Sequence, residues 1–125
     1  MRHILLDSNS LYFYLTKAKR IGTKSLALFD RSEVYFSAVS LIELKLKILA
    51  GKMHLSTLKV DDLVARGLKP LDFSIETFEK FELRANKDPF DIILLAQAEH
   101  HGFQFLTSDL EILRLNLDYV LDLTD

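Results

Sequence analysis

Asp88-Pro89-Phe90-Asp91-Ile92-Ile93-Leu94-Leu95-Ala96-Gln97-Ala98 sets two carboxylates at the threshold of a strongly apolar helix. Proline at the first helical position, with Asp88 before it as N-cap, is a sound start: it supplies the right φ, and its missing N–H would have had no partner there. Asp91 then falls at N3. At about 100° per residue, Leu94, Leu95 and Ala98 flank it on its own face, and that stripe points at a core. A carboxylate there has two explanations, a capping interaction with free N–H groups at the positive helix end or a metal site at the edge of the core. Asp88 is assigned to the helix cap and separated from Asp91.

Working outward, the helix is expected to end at His100-His101-Gly102, followed by a strand at Phe103-Gln104-Phe105-Leu106. Thr107-Ser108-Asp109 comes next, then a short helix over 110–113 and a strand at Tyr119-Val120-Leu121. Toward the amino terminus, His3-Ile4-Leu5-Leu6 suits a buried strand, with Asp7 directly after it. Ser8, Asn9 or Ser10 is expected to cap the next helix, and another helix is expected near 24–30. Val34-Tyr35-Phe36 reads as a strand and 41–50 as a helix stopped by Gly51. A brief helix is expected at 60–65, a connector or strand interrupted by Pro70 at 69–73, and a helix capped by Ser74 that contains Phe78 and Phe81. Alternating strands and helices predict an α/β fold with a mostly parallel sheet and helices on both faces. In such sheets the functional crevice lies beyond the carboxyl ends of the strands. Asp7 and Asp109 follow strands and Asp91 opens a helix, so the three can meet at one end.

The 125 residues are 49% hydrophobic with no long Gly, Pro or Ser-rich break, which predicts one domain over 1–125. The absence of cysteine excludes disulfides, thiolate catalysis, thiolate zinc sites and iron–sulfur clusters. No apolar run reaches the roughly 18 residues of a membrane span, so a cytoplasmic protein with no membrane partner is the expectation. A net charge of -2 argues against nonspecific coating of nucleic acid but leaves room for a basic rim. Lys17, Lys19, Arg20 and Lys24 form one basic group, and Lys45, Lys47 and Lys52 another. His100-His101, at the far end of its helix from Asp91, and His3 read as surface or structural histidines, and Tyr12 and Tyr14 as packing residues. No Gly-rich loop calls for a nucleotide cofactor.

Glu43 completes a set of four acids. An i,i+4 pair with Lys47 accounts for it by itself, but Val39, Leu46 and Ala50 share or border its face and place it at an apolar boundary. Gathering Asp7, Glu43, Asp91 and Asp109 raises at least one carboxylate pKa through repulsion and desolvation. Mg²⁺ or Mn²⁺ offsets that repulsion with hard oxygen ligands and can align water for attack on a phosphodiester.

These blocks resemble the PIN-domain nucleases, more closely the VapC-type toxins of bacterial toxin–antitoxin pairs. The resemblance rests on Ile4-Leu5-Leu6-Asp7-Ser8-Asn9, on Val39-Ser40-Leu41-Ile42-Glu43 with Lys47 and Gly51-Lys52, on Asp88-Pro89-Phe90-Asp91 with Leu94-Leu95-Ala96-Gln97-Ala98, and on Leu106-Thr107-Ser108-Asp109. It spans nearly the whole chain and implies a PIN-like three-layer domain. It implies a Mg²⁺- or Mn²⁺-dependent endoribonuclease, the toxin of a toxin–antitoxin pair, that hydrolyses RNA with metal-activated water to leave a 3′-hydroxyl and a 5′-phosphate. Asp7, Glu43, Asp91 and Asp109 fall on the family's acidic positions, with Asp7 and Asp91 the foremost metal ligands. Glu43 is expected to position or deprotonate water, and Asp109 to complete the pocket or hold a second ion, either acid binding metal directly or through water.

Asn9, Thr107 and Ser108 are candidates to orient these carboxylates, and Lys47, Lys17 and Lys19 to contact RNA phosphates. A homodimer and a small cognate antitoxin over the active-site groove are also implied. Ile42 stands where many relatives carry an aromatic residue, and Ile92 where Arg is frequent. The competing reading is a noncatalytic RNA-binding or regulatory interaction protein on a PIN-like scaffold. A phosphoacceptor regulator using a strand-end Asp is a third.

Overall fold

The computed structural model describes residues 1–55, 58–83 and 88–125. Its sheet has the order β3-β2-β1-β4-β5, with β1 (Arg2–Leu6), β2 (Ser32–Ser37), β3 (Lys69–Leu71), β4 (Gln104–Thr107) and β5 (Val120–Asp122). Every neighbouring pair is parallel, so each connection must cross back over the sheet. The crossovers carry α1 (Ser8–Thr16) and α2 (Thr23–Arg31), α3 (Ala38–Leu49) and α4 (Val60–Ala65), α5 (Pro89–His101), and α6 (Leu110–Leu113).

β1 lies at the centre, and its apolar run serves both faces. Ile4 and Leu6 pack with Leu11, Leu28, Leu44 and Leu63, whereas Leu5 packs with Leu94, Leu95, Ala98 and Ile112. Ile4, Leu5 and Leu6 are fully buried, each worth about 1.5–3 kcal/mol relative to exposure. This is why the strand reads as a continuous apolar run rather than an alternating one. The chain moves from β1 to β2 to β3 in one direction, then returns to place β4 on the other side of β1. The switch point of the sheet therefore lies between β1 and β4, at the strand ends occupied by Asp7 and Thr107.

Several local expectations change. The cap of α1 is Asp7, whose carboxylate accepts from Ser10 N, rather than Ser8, Asn9 or Ser10. The segment after Ser74 is a 3₁₀ helix, Ile75–Lys80, that ends before Phe81. Ser74 directs its hydroxyl to the Glu76 carboxylate instead of capping a backbone N–H. A further 3₁₀ turn occupies Ala18–Arg20. Lys69–Leu71 is a strand despite Pro70, because β3 is an edge strand and spares one N–H. The buried side of α3 is Val39, Ser40, Glu43 and Leu44, whereas Leu46 and Ala50 are exposed, because Leu46 lies on another helical face with Ile42 and Leu49 and Ala50 is the C-cap, beyond the last helical residue. His101 is only half-exposed: its ring packs on Phe103 at 5.3 Å, and its Nε2 is buried without a hydrogen bond. Burial first, then the neighbouring His100, holds its pKa below the ordinary histidine value.

Candidate acidic active site

Four helix N-termini meet at the carboxyl edge of the sheet. α1, α3 and α6 follow β1, β2 and β4 directly, and α5 must start at the same edge because it runs back to the beginning of β4. Each start is capped by a side chain: Asp7 for α1, Ser37 for α3, Asp88 for α5 and Asp109 for α6. The positive ends of these helices favour anionic groups there, whether side-chain carboxylates or a phosphate.

Strand register decides which acids become neighbours. Leu6 pairs with Leu106, so the next residues, Asp7 and Thr107, stand side by side. The Thr107 hydroxyl donates to Asp7 Oδ2 at 2.5 Å and accepts the Asp109 N–H at 3.0 Å. Asp7 Oδ1 accepts from Ser10 N at 2.8 Å, and the Ser10 hydroxyl donates to the Leu106 carbonyl at 3.0 Å. Burial pushes the Asp7 carboxyl above its ordinary value; hydrogen bonds from Ser10 and Thr107 draw it partly back, and the charge of Asp109 adds to the rise. Asp109 Oδ1 accepts from Glu111 N and Ile112 N, so this acid starts a helix as well as facing Asp7.

Glu43 is reached from the other side. The Ser8 hydroxyl donates to Ser40 Oγ at 3.1 Å, which ties the residue after Asp7 to the residue one turn before Glu43. Glu43 is only 7% exposed; its Oε2 pairs with Lys47 at 3.0 Å, and its Oε1 is buried with no hydrogen bond. Asp88 Oδ1 accepts from Phe90 N at 2.9 Å and Asp91 N at 3.2 Å, while Asp91 is half-buried in the first turn of α5.

The structure thus joins Asp7 to Asp109 through Thr107 and brings α3 to the start of α1. Among the described residues it does not gather three acidic or histidine side chains closely enough to hold a metal ion. The donor chemistry nevertheless suits a small hard cation. The buried Glu43 Oε1 has an unused acceptor, and each Asp7 oxygen, although it accepts one hydrogen bond, keeps a further lone pair.

Asn9 is exposed in the first turn of α1, and Ser108 is half-buried between β4 and Asp109. Lys17 and Lys19 are exposed around the end of α1, and Lys47 is the partner of Glu43. Ile42 is 54% exposed, so its departure from the aromatic pattern alters surface rather than core. Sequence reasoning missed Ser8, Ser40, Ser37 and Gln97. The available signals were a serine one turn before Glu43 and a lone amide inside the apolar run of α5.

The PIN domain model matches residues 4–116. This chain belongs to the PIN domain family. The PIN domain is similar in fold to a chain of VapBC2 from Rickettsia felis bound to a promoter DNA fragment, with a TM-score of 0.69 and 16% identity over 96% of this chain and 98% of that one. It is also similar to a chain of DNA-bound VapBC from Salmonella typhimurium, at 0.63 and 20% identity over 98% of both chains. A chain of a toxin–antitoxin complex from Klebsiella pneumoniae follows at 0.58 and 14% identity, over 94% of this chain and 95% of that one. No curated protein sequence matches this PIN domain.

Proposed function

We propose that this PIN domain is a divalent-metal-dependent endoribonuclease, the toxin of a toxin–antitoxin pair. One observation carries the reading: a fully buried Asp7 at the switch point of a parallel sheet, coupled through Thr107 to Asp109. Burial raises the pKa of such a carboxyl, and a cation would offset that rise. Asp7 and Asp91 would hold Mg²⁺ or Mn²⁺, with Glu43 and Asp109 binding directly or through water. The ion supplies charge compensation for the acids and for the phosphodiester oxygens under attack. Glu43 Oε1 is the unpartnered base suited to orient and deprotonate a water. The capped helix starts offer positive potential to the phosphate, and exposed Lys17 and Lys19 are the proposed further phosphate contacts.

The partner reading draws on the toxin–antitoxin complexes of similar fold and on the outer face of α3. Ile42, Leu46 and Leu49 are 54%, 53% and 72% exposed there, beside a hollow of about 370 Å³ lined by Leu41, Ile42, Lys45, Leu46 and Leu58. An exposed apolar stripe of this kind suits a small antitoxin. No helix among the described residues is long and apolar enough to cross a membrane; a cytoplasmic location and a homodimer belong to the same proposal.

The test is RNA cleavage by purified, antitoxin-free protein with Mg²⁺ or Mn²⁺, comparing wild type with Asp91→Asn. Cleavage lost in the variant is expected; a folded wild type that binds no divalent ion rejects the metal site. The second reading is a noncatalytic RNA-binding or regulatory protein. It is favoured by the absence of three gathered acids among the described residues, and it predicts RNA or partner binding that survives metal removal without strand cleavage.

A further inference from the structure

We propose that Gln97 is a positioning residue for the acidic site, setting the helix that carries Asp91 against the helix that carries Glu43; the inference rests on the metal-site reading above. Gln97 is completely buried in α5 beside Leu94, Leu95, Ala96 and Ala98. A buried amide costs stability unless its hydrogen bonds are made, and here their partners are specific. The Ser37 hydroxyl donates to Gln97 Oε1 at 2.5 Å, and Gln97 Nε2 reaches the Asp72 carbonyl at 3.5 Å. Ser37 Oγ also accepts Val39 N–H at 3.0 Å, capping α3. One buried link therefore runs from the middle of α5 into the first turn of α3.

The link completes a pattern. Thr107 fixes β1 to β4 and so Asp7 to Asp109, and Ser8–Ser40 fixes the Asp7 segment to α3 one turn before Glu43. Ser37–Gln97 fixes α3 to α5. Every acid-bearing element is thereby joined to another by a buried polar contact. The apolar neighbours of Gln97 contribute non-directional burial, which leaves the rotation and slide of α5 loosely specified. A hydrogen bond is distance-dependent and angular, and specifies both. Asp91 lies six residues earlier, about 9 Å along the axis at 1.5 Å per residue, within the same rigid helix. An error in that helix is carried to the carboxylate, where ligand distances hold to about 0.2 Å. An apolar side chain of the same size would fill the site without any need for Ser37 or Asp72. What the amide supplies is geometry.

The experiment measures Mn²⁺ affinity on the full chain by isothermal titration, with thermal melts alongside. The variants are Gln97→Met, Ser37→Ala, the double variant, Asp7→Asn as ligand control, and Leu63→Val as a core change in α4. We expect Gln97→Met and Ser37→Ala each to weaken Mn²⁺ binding about tenfold, the lower end of the loss seen when groups supporting a metal site are removed. The double variant should lose clearly less than the sum of the two single losses, because the Ser37–Gln97 contact is common to both, although Ser37→Ala also removes the α3 cap and Gln97→Met the Asp72 contact. Leu63→Val should lower Tm and leave Mn²⁺ affinity unchanged. Wild-type affinity in folded Gln97→Met overturns the proposal, as do additive losses in the double variant or an equal loss in Leu63→Val. If Gln97→Met does not fold, Ser37→Ala decides by the same comparison with Leu63→Val. A folded wild type that takes up no Mn²⁺ overturns the metal-site reading and this proposal with it, whereas failure of the proposal alone leaves the wild-type titration intact.

Discussion

Thr107 and Asp7 occupy adjacent register positions on two parallel strands, and one hydroxyl serves two acids: it donates to Asp7 Oδ2 and accepts the backbone N–H of Asp109. The hydroxyl therefore ties the Asp7 carboxylate to the backbone at Asp109.

Thr107→Val keeps the shape and removes the hydroxyl. We expect it to lower divalent-ion affinity and cleavage about tenfold or more, at a stability cost of about 1–2 kcal/mol from the lost hydrogen bonds. Thr107→Ser should restore most of the affinity. Mn²⁺ titration and thermal melts of the two variants measure both effects, and a valine variant with wild-type affinity would falsify the role.

Asp7 links stability to pH. Its carboxyl lies above the ordinary value of 3.8, chiefly through burial. A group raised in the folded state gives stability that is fully present below the unfolded pKa and lost as pH rises through the folded one. At neutral pH, above the unfolded value, burying Asp7 therefore opposes folding of the metal-free protein. Asp7→Asn should raise Tm at pH 7 while abolishing metal binding, and its advantage should shrink as pH falls toward the ordinary aspartate range. A metal-free Asp7→Asn protein that melts below wild type at pH 7 contradicts this.

Asp88 and Asp91 separate by variant. Asp88→Ala removes two capping hydrogen bonds and should cost about 1 kcal/mol of stability with little change in metal affinity. Asp91→Asn should do the reverse. Denaturant melts and Mn²⁺ titrations on the pair provide the check, and equal affinity losses at both positions count against the division of roles.

Lys47 holds Glu43 Oε2 at 3.0 Å and would compete for it with the proposed cation. Lys47→Ala should tighten Mn²⁺ binding and leave the salt dependence of RNA affinity unchanged. A salt slope reduced by about one would show instead that Lys47 contacts a phosphate.

Gly22 tests the packing of the fold away from the site. A Cβ there would lie 2.0 Å from the Asp125 backbone oxygen, and Gly22 N donates to the Leu123 carbonyl at 3.0 Å. Gly22→Ala should lower Tm by several degrees, read by a thermal melt, because the clash is with backbone atoms of Thr124 and Asp125, which must shift to admit a Cβ.

The sequence by itself determined the α/β class, the positions of β1 and β4, the apolar helix α5 and the ordered blocks of the PIN family, because these depend on local periodicity and on Pro and Gly at helix ends. It also isolated the acids, since a carboxylate after a buried strand or on an apolar stripe is conspicuous without any neighbour. Only the tertiary structure decided how they are held. Which residue stands beside Asp7 follows from the register of β1 with β4, a contact across 100 residues. That Ser40 meets Ser8, and that Ser37 meets Gln97, depends on how α3 and α5 cross the sheet edge. A serine or a glutamine carries no local signal of its hydrogen-bond partner, because the partner is chosen by long-range packing and not by helical or strand period.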